Sequence, residues 1–353
     1  MNGRIPIIIP AYEPDERLIA LVQDLAESGE MIIIVDDGSG LEYAPIFEKC
    51  KAVLGEKGIL LTHPVNRGKG RALKTAFLFV LEHCPDAAGA VTADSDGQHS
   101  KAAIDSVGEA LRVNPGCLVL GVRSFEGEGI PWKSMFGNKL TVKVLSYVVG
   151  IQVSDTQTGL RGIPRDFMKR LVEVKGERFE FETEMLIESA GHYPIMELSI
   201  ETIYDSEKNH QTHFDPIADS IRIYRIFGRM FLKYIFSSVS ACALDLLCFS
   251  VFCFFLKTET SLHYIFASTV LARIVSAVYN YIINYKVVFH SGETVGKSSV
   301  KYFMLAAIQM GLSALGVMVG ISILPMISEV VIKMIVDTVL FFVSYCMQRK
   351  YVF

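Results

Sequence analysis

The chain has 353 residues, a formal net charge of −4 and a pI near 6.1, a balance that excludes a nucleic-acid binder, whose footprint would be basic. Its mean hydropathy of +0.36 is high for a soluble protein; the length admits two domains, and charged residues fill the first two-thirds while apolar runs take over from Met230. The seven cysteines include no Cys-x-x-Cys pair, and Cys242, Cys248, Cys253 and Cys346 lie in apolar sequence, so reduced thiols facing cytosol or lipid are expected.

Ile5 to Ile9 suits a buried parallel strand, and Pro6 and Pro10 interrupt it too soon for a signal peptide. The segment from Pro10 to Pro14 forces a turn. Asp15 to Ser28 has helical spacing through Leu18, Leu21, Val22 and Leu25, and a second buried strand, Met31 to Val35, runs into Asp36-Asp37-Gly38-Ser39. This opens a doubly wound α/β nucleotide-binding sheet, yet the dinucleotide and P-loop glycine motifs are absent. After a strand at Gly58 to Thr62, Asn66-Arg67-Gly68-Lys69-Gly70-Arg71 starts a helix. Glycines and three cations there make a credible anion site; the alternative is a solvated first turn.

Gly89 to Ala93 reads as a buried strand that delivers Asp94, Asp96 and Gln98 to the carboxyl edge of the sheet. Oxygen ligands of this kind suit Mg²⁺ or Mn²⁺ bound jointly with phosphate oxygens. An ordinary Asp-x-Asp-Gly turn is the competing reading. A calcium loop of the EF-hand type fits worse, because its glycine and final Glu would fall at other positions.

A helix near Lys101 to Arg112 and a strand from Cys117 to Val122 ending in Arg123 follow. Trp132 to Val149 is apolar and dotted with Lys133, Lys139 and Lys143, which suits either a membrane-surface helix or one packed on the sheet. The dense polar run from Val153 to Gly162, containing Asp155 and Arg161, looks like a site loop. Met196 to Tyr204 reads as a last strand, and His210 and His213 as solvated loop histidines.

Ile221 to Met230 reads as an interfacial helix with Arg222, Arg225 and Arg229 on one face. Four apolar segments, Phe231 to Leu256, His263 to Phe289, Lys301 to Leu324 and Val330 to Met347, are each long enough to cross a bilayer. Cations concentrate on one side of them, which places both termini and the N-terminal domain in the cytosol. Asn284 to Phe289 is echoed by Gln348 to Phe353, a weak repeat of two helix hairpins. Asp245, Arg273 and Asp337 fall near mid-membrane, where Asp245 and Arg273 are expected to pair.

Ile-Pro-Ala-Tyr at 9 to 12, Val-Asp-Asp-Gly-Ser at 35 to 39, Asn-Arg-Gly-Lys-Gly at 66 to 70 and Ala-Asp-Ser-Asp-Gly-Gln at 93 to 98 together resemble the family 2 glycosyltransferases of GT-A fold. Asp-Thr-Gln-Thr-Gly-Leu-Arg-Gly at 155 to 162 and Phe-Glu-Thr-Glu at 181 to 184 narrow the resemblance to the polyprenyl-phosphate glycosyltransferases, and the four spans resemble a GtrA-like membrane domain. The resemblance implies a mixed, mostly parallel GT-A sheet over 1–214, an interfacial linker at 215–229 and an all-α membrane domain over 230–353. It implies that Pro10, Ala11, Tyr12, Glu13, Asp37 and Ser95 contact the nucleotide, with Lys69 and Arg71 near base and diphosphate. Asp94, Asp96 and Gln98 match the Mg²⁺ or Mn²⁺ site, Arg123, Lys133 and Arg161 match positions that hold the lipid phosphate or diphosphate, and Asp94, Asp96, Arg123, Asp155 and Arg161 form the catalytic set.

The implied reaction is inverting transfer of one sugar from a nucleotide sugar, UDP-glucose before GDP-mannose, to polyprenyl phosphate in the cytoplasmic leaflet of the cell membrane. Such a product would serve as a lipid-linked donor for cell-envelope glycosylation. A bifunctional form whose spans also flip the glycolipid is the alternative, and a homo-oligomer is compatible with the sequence. A processive polysaccharide synthase would carry Gln-x-x-Arg-Trp, whereas the single tryptophan, Trp132, follows Gly129-Ile130-Pro131.

Overall fold

Runs of Ile and Val without polar alternation must be covered on both faces, and in the computed structural model they form the middle of a seven-stranded mixed sheet. The structure describes residues 3–123, 132–200, 218–256, 263–289, 291, 293–324, 326–327 and 329–353. His210 and His213 lie outside them.

The strands are β1 (Ile7–Ala11), β2 (Ile32–Asp36), β3 (Gly58–Thr62), β4 (Gly89–Thr92), β5 (Leu118–Arg123), β6 (Arg161–Pro164) and β7 (Ile195–Ile200), in the order β3-β2-β1-β4-β6-β5-β7. β6 is antiparallel to both β4 and β5, and every other pairing is parallel. The carboxyl ends of β1, β2, β4 and β5 therefore share one edge. Helices α1 (Glu16–Ala26), α2 (Ala44–Leu54), α3 (Lys69–His83), α4 (Lys101–Val113), α5 (Trp132–Val148), α6 (Arg165–Leu171) and α7 (Glu180–Ser189) complete this unit. Asp15 caps α1 by accepting from the Arg17 N–H, and Ser100 caps α4 by accepting from the Ala103 N–H. On one face of the sheet an apolar core joins Ile7 and Ile9 of β1 and Ile32 and Ile34 of β2 to Leu18, Val22 and Leu25 of α1 and Ile104, Val107 and Leu111 of α4.

The polar run expected as a loop through Gly162 becomes strand at Arg161. Four residues that include Gly162 and Pro164 read as turn chemistry, yet Gly162 fits because a side chain there would crowd Val107, Val119 and Leu111.

The chain divides into two compact units, Met1–Tyr224 and Arg225–Phe353. The second is helical: α8 (Ala218–Leu256), which begins in the first unit, α9 (His263–Ile283), α10 (Val295–Ile323) and α11 (Glu329–Met347). The expected interfacial helix and first span are thus one unbroken helix. Among the described residues, Ser220–Leu256 and Val295–Ile323 are long and apolar enough to cross a membrane. π-helical turns at Asn284–Val288 and Gln348–Val352 end α9 and α11 at matching points of the repeat.

A buried polar knot ties these ends together. Ser237 Oγ bonds Asn280 and Asn284, Asn284 Nδ2 donates to Gln348 Oε1 at 2.9 Å, and Gln348 Nε2 donates to Ser344 Oγ at 2.9 Å and to the Tyr234 hydroxyl at 3.2 Å. Rings of Tyr234, Tyr281, Phe289, Tyr345 and Phe353 pack beside it, Phe289 and Phe353 stacked and the other pairs tilted or edge-on. Along α10, Gly316 and Gly320 let Val336 and Ile332 of α11 approach the backbone, as small residues do between membrane helices.

Candidate active site

The loop after β4 carries Asp94, Ser95, Asp96 and Gln98, all half-buried at the common carboxyl edge. Asp94 is the centre of the charge network: Lys69 Nζ at the first turn of α3 lies 2.6 Å from Asp94 Oδ1 and 2.8 Å from Glu182 Oε1 of α7. Buried His99 stands 3.8 Å from the other Asp94 oxygen. Burial opposes ionisation of Asp94, but Lys69 and His99 overcome it and hold the carboxyl far below its usual range. Burial likewise opposes charge on Lys69, and the Asp94 and Glu182 carboxylates outweigh it, so the ammonium is held above its ordinary value. Asp96 moves the opposite way, raised by burial and then by the negative charge of Asp94 beside it. The Gln98 N–H donates to Asp96 Oδ1 at 3.1 Å and shapes the turn.

A half-buried carboxylate raised by desolvation and by a second carboxylate beside it is a place where a divalent cation relieves repulsion. The donor set is all oxygen, which suits Mg²⁺ or Mn²⁺. No group of three or more His, Cys, Asp or Glu poised for a metal occurs among the described residues, so the carboxylates alone do not complete a coordination shell.

Glycine is required on the far side of Asp94. A Cβ at Gly159 would collide with the Asp94 carboxylate, and the Gly159 carbonyl is held by Thr92 Oγ1 at 2.8 Å. Gly68, at φ +101°, likewise has no room for a Cβ, because the Glu177 carbonyl and Arg178 pack against it. The Arg71 N–H donates to that carbonyl, while the side chains of Arg71 and Lys74 engage the Glu177 carboxylate. Glu177 is thereby depressed: burial works against its charge, but Lys74 and Arg71 prevail.

Further along the same edge, Arg123 at the end of β5 grips Asp155 through Nε (2.7 Å) and Nη2 (3.1 Å). Asp155 is 0% exposed, and its loop is fixed from two directions. Asn138 of α5 accepts from the Thr156 N–H and hydroxyl and donates to the Ser154 carbonyl, while Glu197 of β7 accepts from Ser154.

Arg161 is placed differently from the expectation of a phosphate ligand. It is 1% exposed, and its guanidinium donates to the carbonyls of Thr156, Thr158 and Glu182 and to Met185 Sδ. Burial lowers its pKa, against the opposing fields of Glu182, Asp155 and Asp94. Arg161 is therefore the internal counter-charge of both halves of the site. Asp37 is also internal: one oxygen meets His63 Nδ1 at 2.7 Å and the Arg67 N–H, and the other takes the Gly68 N–H at 2.7 Å. It fixes the loop before Lys69 instead of presenting a free carboxylate to a base.

Pro10 and Ala11 are buried in β1, and half-buried Tyr12 and Glu13 follow at the edge. Glu13 has φ +49° and donates its N–H to Ser39 Oγ, and a hydrogen bond with Glu13, helped by burial, raises the Tyr12 phenol. Lys133 falls in α5, with its side chain outside the described residues. Glu182, His99, Gly159 and Asn138 were not singled out by sequence as site residues. Glu182 and Gly159 do lie inside the quoted 181–184 and 155–162 motifs, whereas Asn138 has no such signal.

The assembled edge offers a carboxylate pair and ammonium beside one strand end and a clamped guanidinium beside another, an arrangement able to hold two anions together. A family model described as Glycosyl transferase family 2 matches residues 7–172, and one described as GtrA/DPMS, transmembrane domain, matches residues 233–353. No curated protein matches the chain. A solved glucosyl-3-phosphoglycerate synthase from Mycobacterium tuberculosis, in complex with Mn²⁺, UDP and glucosyl-3-phosphoglycerate, shares 16% identity over 65% of this chain and 78% of that one, with a TM-score of 0.43.

Proposed function

Because the chain belongs to the family 2 glycosyl transferases through residues 7–172 and to the GtrA/DPMS transmembrane domains through 233–353, we propose that it moves one hexose from a nucleotide sugar onto polyprenyl phosphate, with inversion. UDP-glucose is the first donor, GDP-mannose the second. The observation that supports this reading best is the pairing, at one sheet edge, of the Asp94–Lys69–Glu182 cluster with the Arg123–Asp155 clamp.

In this reading Asp94, Asp96 and Gln98 hold Mg²⁺ or Mn²⁺, and Tyr12, Glu13 and Ser95 line the nucleotide. When bound, the divalent ion offsets the charge that builds on the departing diphosphate. Lys69 adds a fixed ammonium beside the same carboxylate, and Glu182 shares with Asp94 the task of holding it there. Arg71 is largely committed to Glu177 and supports the α3 turn. Arg123, with Lys133, receives the acceptor phosphate, and Asp155 fixes the plane of the Arg123 guanidinium. Arg161 acts from within by balancing the buried carboxylates. A phosphate acceptor is already ionised near neutral pH, its second pKa being about 6, so no strong base is required. Catalysis then rests on bringing two anions into contact.

The helical unit crosses the membrane several times, with the catalytic unit on the cation-rich, cytosolic side. The test is full-length protein in lipid with Mg²⁺ or Mn²⁺, polyprenyl phosphate and radiolabelled UDP-glucose or GDP-mannose. Label should enter the organic-extractable fraction from one donor, and Asp96→Ala should abolish it. Extraction of no label from either donor, or full activity in Asp96→Ala, would overturn the reading.

A further inference from the structure

The Asp94 carboxylate has three close neighbours. The Gly159 backbone lies so near that a Cβ there would collide with it, and Thr92 Oγ1 pins the Gly159 carbonyl at 2.8 Å. Buried His99 stands 3.8 Å from Oδ2, and the Lys69 ammonium meets Oδ1 at 2.6 Å. Of the three, Lys69 alone is a long flexible side chain, and it also meets a second carboxylate, Glu182 Oε1, at 2.8 Å. The Lys69 and Glu182 side chains are 16% and 10% exposed, so little water shares the ammonium with them.

Glu182 is firmly placed. Its carbonyl accepts from Arg161 Nη1 at 2.8 Å, and the preceding Phe181 packs so tightly on α3 that a Cβ at Gly70 would strike it. Among the described residues no three His, Cys, Asp or Glu are grouped for a metal, so Glu182 does not join Asp94 and Asp96 as a third ligand. It reaches that pair through Lys69.

If Asp94 ligates a divalent ion, a metal–oxygen bond of about 2.1 Å brings that ion against the ammonium on the same carboxylate. Two cations so close repel strongly where water is scarce. We propose that Lys69 then gives up Asp94 and rests on Glu182 alone, so that Glu182 is a positioning residue that sets how readily Asp94 takes the ion. Lys69 remains an ammonium throughout: a side-chain rotation moves the charge, and no proton changes hands. The ammonium stays at the same sheet edge, where it still faces a departing diphosphate. The inference rests on the metal reading of Asp94 and Asp96 and is independent of which sugar, base or acceptor is used.

The test titrates full-length protein in detergent with Mn²⁺, without nucleotide or lipid acceptor, and follows free Mn²⁺ by electron paramagnetic resonance. Site binding is the part lost in Asp96→Ala. Glu182→Gln should weaken it by roughly tenfold, because the ammonium then has only Asp94 to rest on, and Lys69→Met should tighten it. In the double variant Lys69→Met/Glu182→Gln the ion should bind at least as tightly as in wild type, the second substitution costing much less than it does alone. A misfolded Glu182→Gln could not regain the ion on a further substitution. A field acting directly from Glu182 on the ion would instead cost at least as much once the ammonium is gone. The proposal is overturned if Glu182→Gln binds Mn²⁺ as wild type does, or if its loss is undiminished in the Lys69→Met background. Wild type that binds no more Mn²⁺ than Asp96→Ala overturns the metal assignment and this exchange with it. The expected pattern of affinities in a protein that transfers no sugar would count against the proposed reaction and leave the exchange standing.

Discussion

Replacing one hydrogen of Gly159 by a methyl group drives that methyl into the Asp94 carboxylate. Asp94 must then leave Lys69, and displacement of about 1 Å at a reacting centre can cost a hundredfold in rate. Gly159→Ala should accordingly lose about that much transfer activity while the far-UV circular dichroism stays unchanged. Glu177 gives a pH-dependent prediction. Its folded pKa is depressed, so its contribution is present above the unfolded value of about 4.3 and disappears as pH falls through the lower folded value. The group is partly exposed, which limits the effect: Glu177→Gln should cost at most about 1 kcal/mol in thermal unfolding at pH 7, and the difference from wild type should shrink as the pH falls below the unfolded value. That Asp94, Asp96 and Lys69 come together at one sheet edge was legible, because short acidic and glycine-basic motifs follow strand ends. The burial of Arg161 was not, because a cation in a polar run looks the same in sequence whether it faces solvent or three carbonyls.

Among the elements, α5 carries more than its apolar pattern suggested. Asn138 bonds both Ser154 and Thr156, on either side of Asp155, so Asn138→Leu strands a carbonyl, an N–H and a hydroxyl. We expect a loss of about 1–3 kcal/mol in stability and a raised KM for the lipid acceptor, with donor KM nearly unchanged. Kinetics with each substrate varied in turn would check this. The parallel strands were readable because burial on both faces leaves a continuous apolar signature. β6 was hidden because its identity depends on partners far along the chain, Ala90 opposite Ile163 and Val119 opposite Gly162. The continuity of α8 was also hidden: a change from basic to apolar surface suggested two helices, yet nothing in the backbone breaks between them.

For the molecule as a whole, the boundary between charged and apolar sequence anticipated two units, and the weak repeat anticipated paired hairpins. The knot that joins those hairpins was not anticipated, since isolated Ser, Asn and Gln residues carry no pairing information. Gln348→Leu removes its bonds to Asn284, Ser344 and Tyr234, and hydrogen bonds between membrane helices average about 0.6 kcal/mol each. The variant should lose about 1–2 kcal/mol in unfolding of the full chain in detergent, while nucleotide binding, followed by fluorescence or calorimetry, stays as in wild type.

The antiparallel strand between β4 and β5 has one more consequence. It holds the strand that ends at the carboxylates and the strand that ends at Arg123 two inter-strand spacings apart, about 10 Å. Those strands are hydrogen-bonded into one sheet, so the separation between the Asp94 carboxylate and the Arg123–Asp155 clamp is set by the width of β6 and cannot be changed by moving either loop alone.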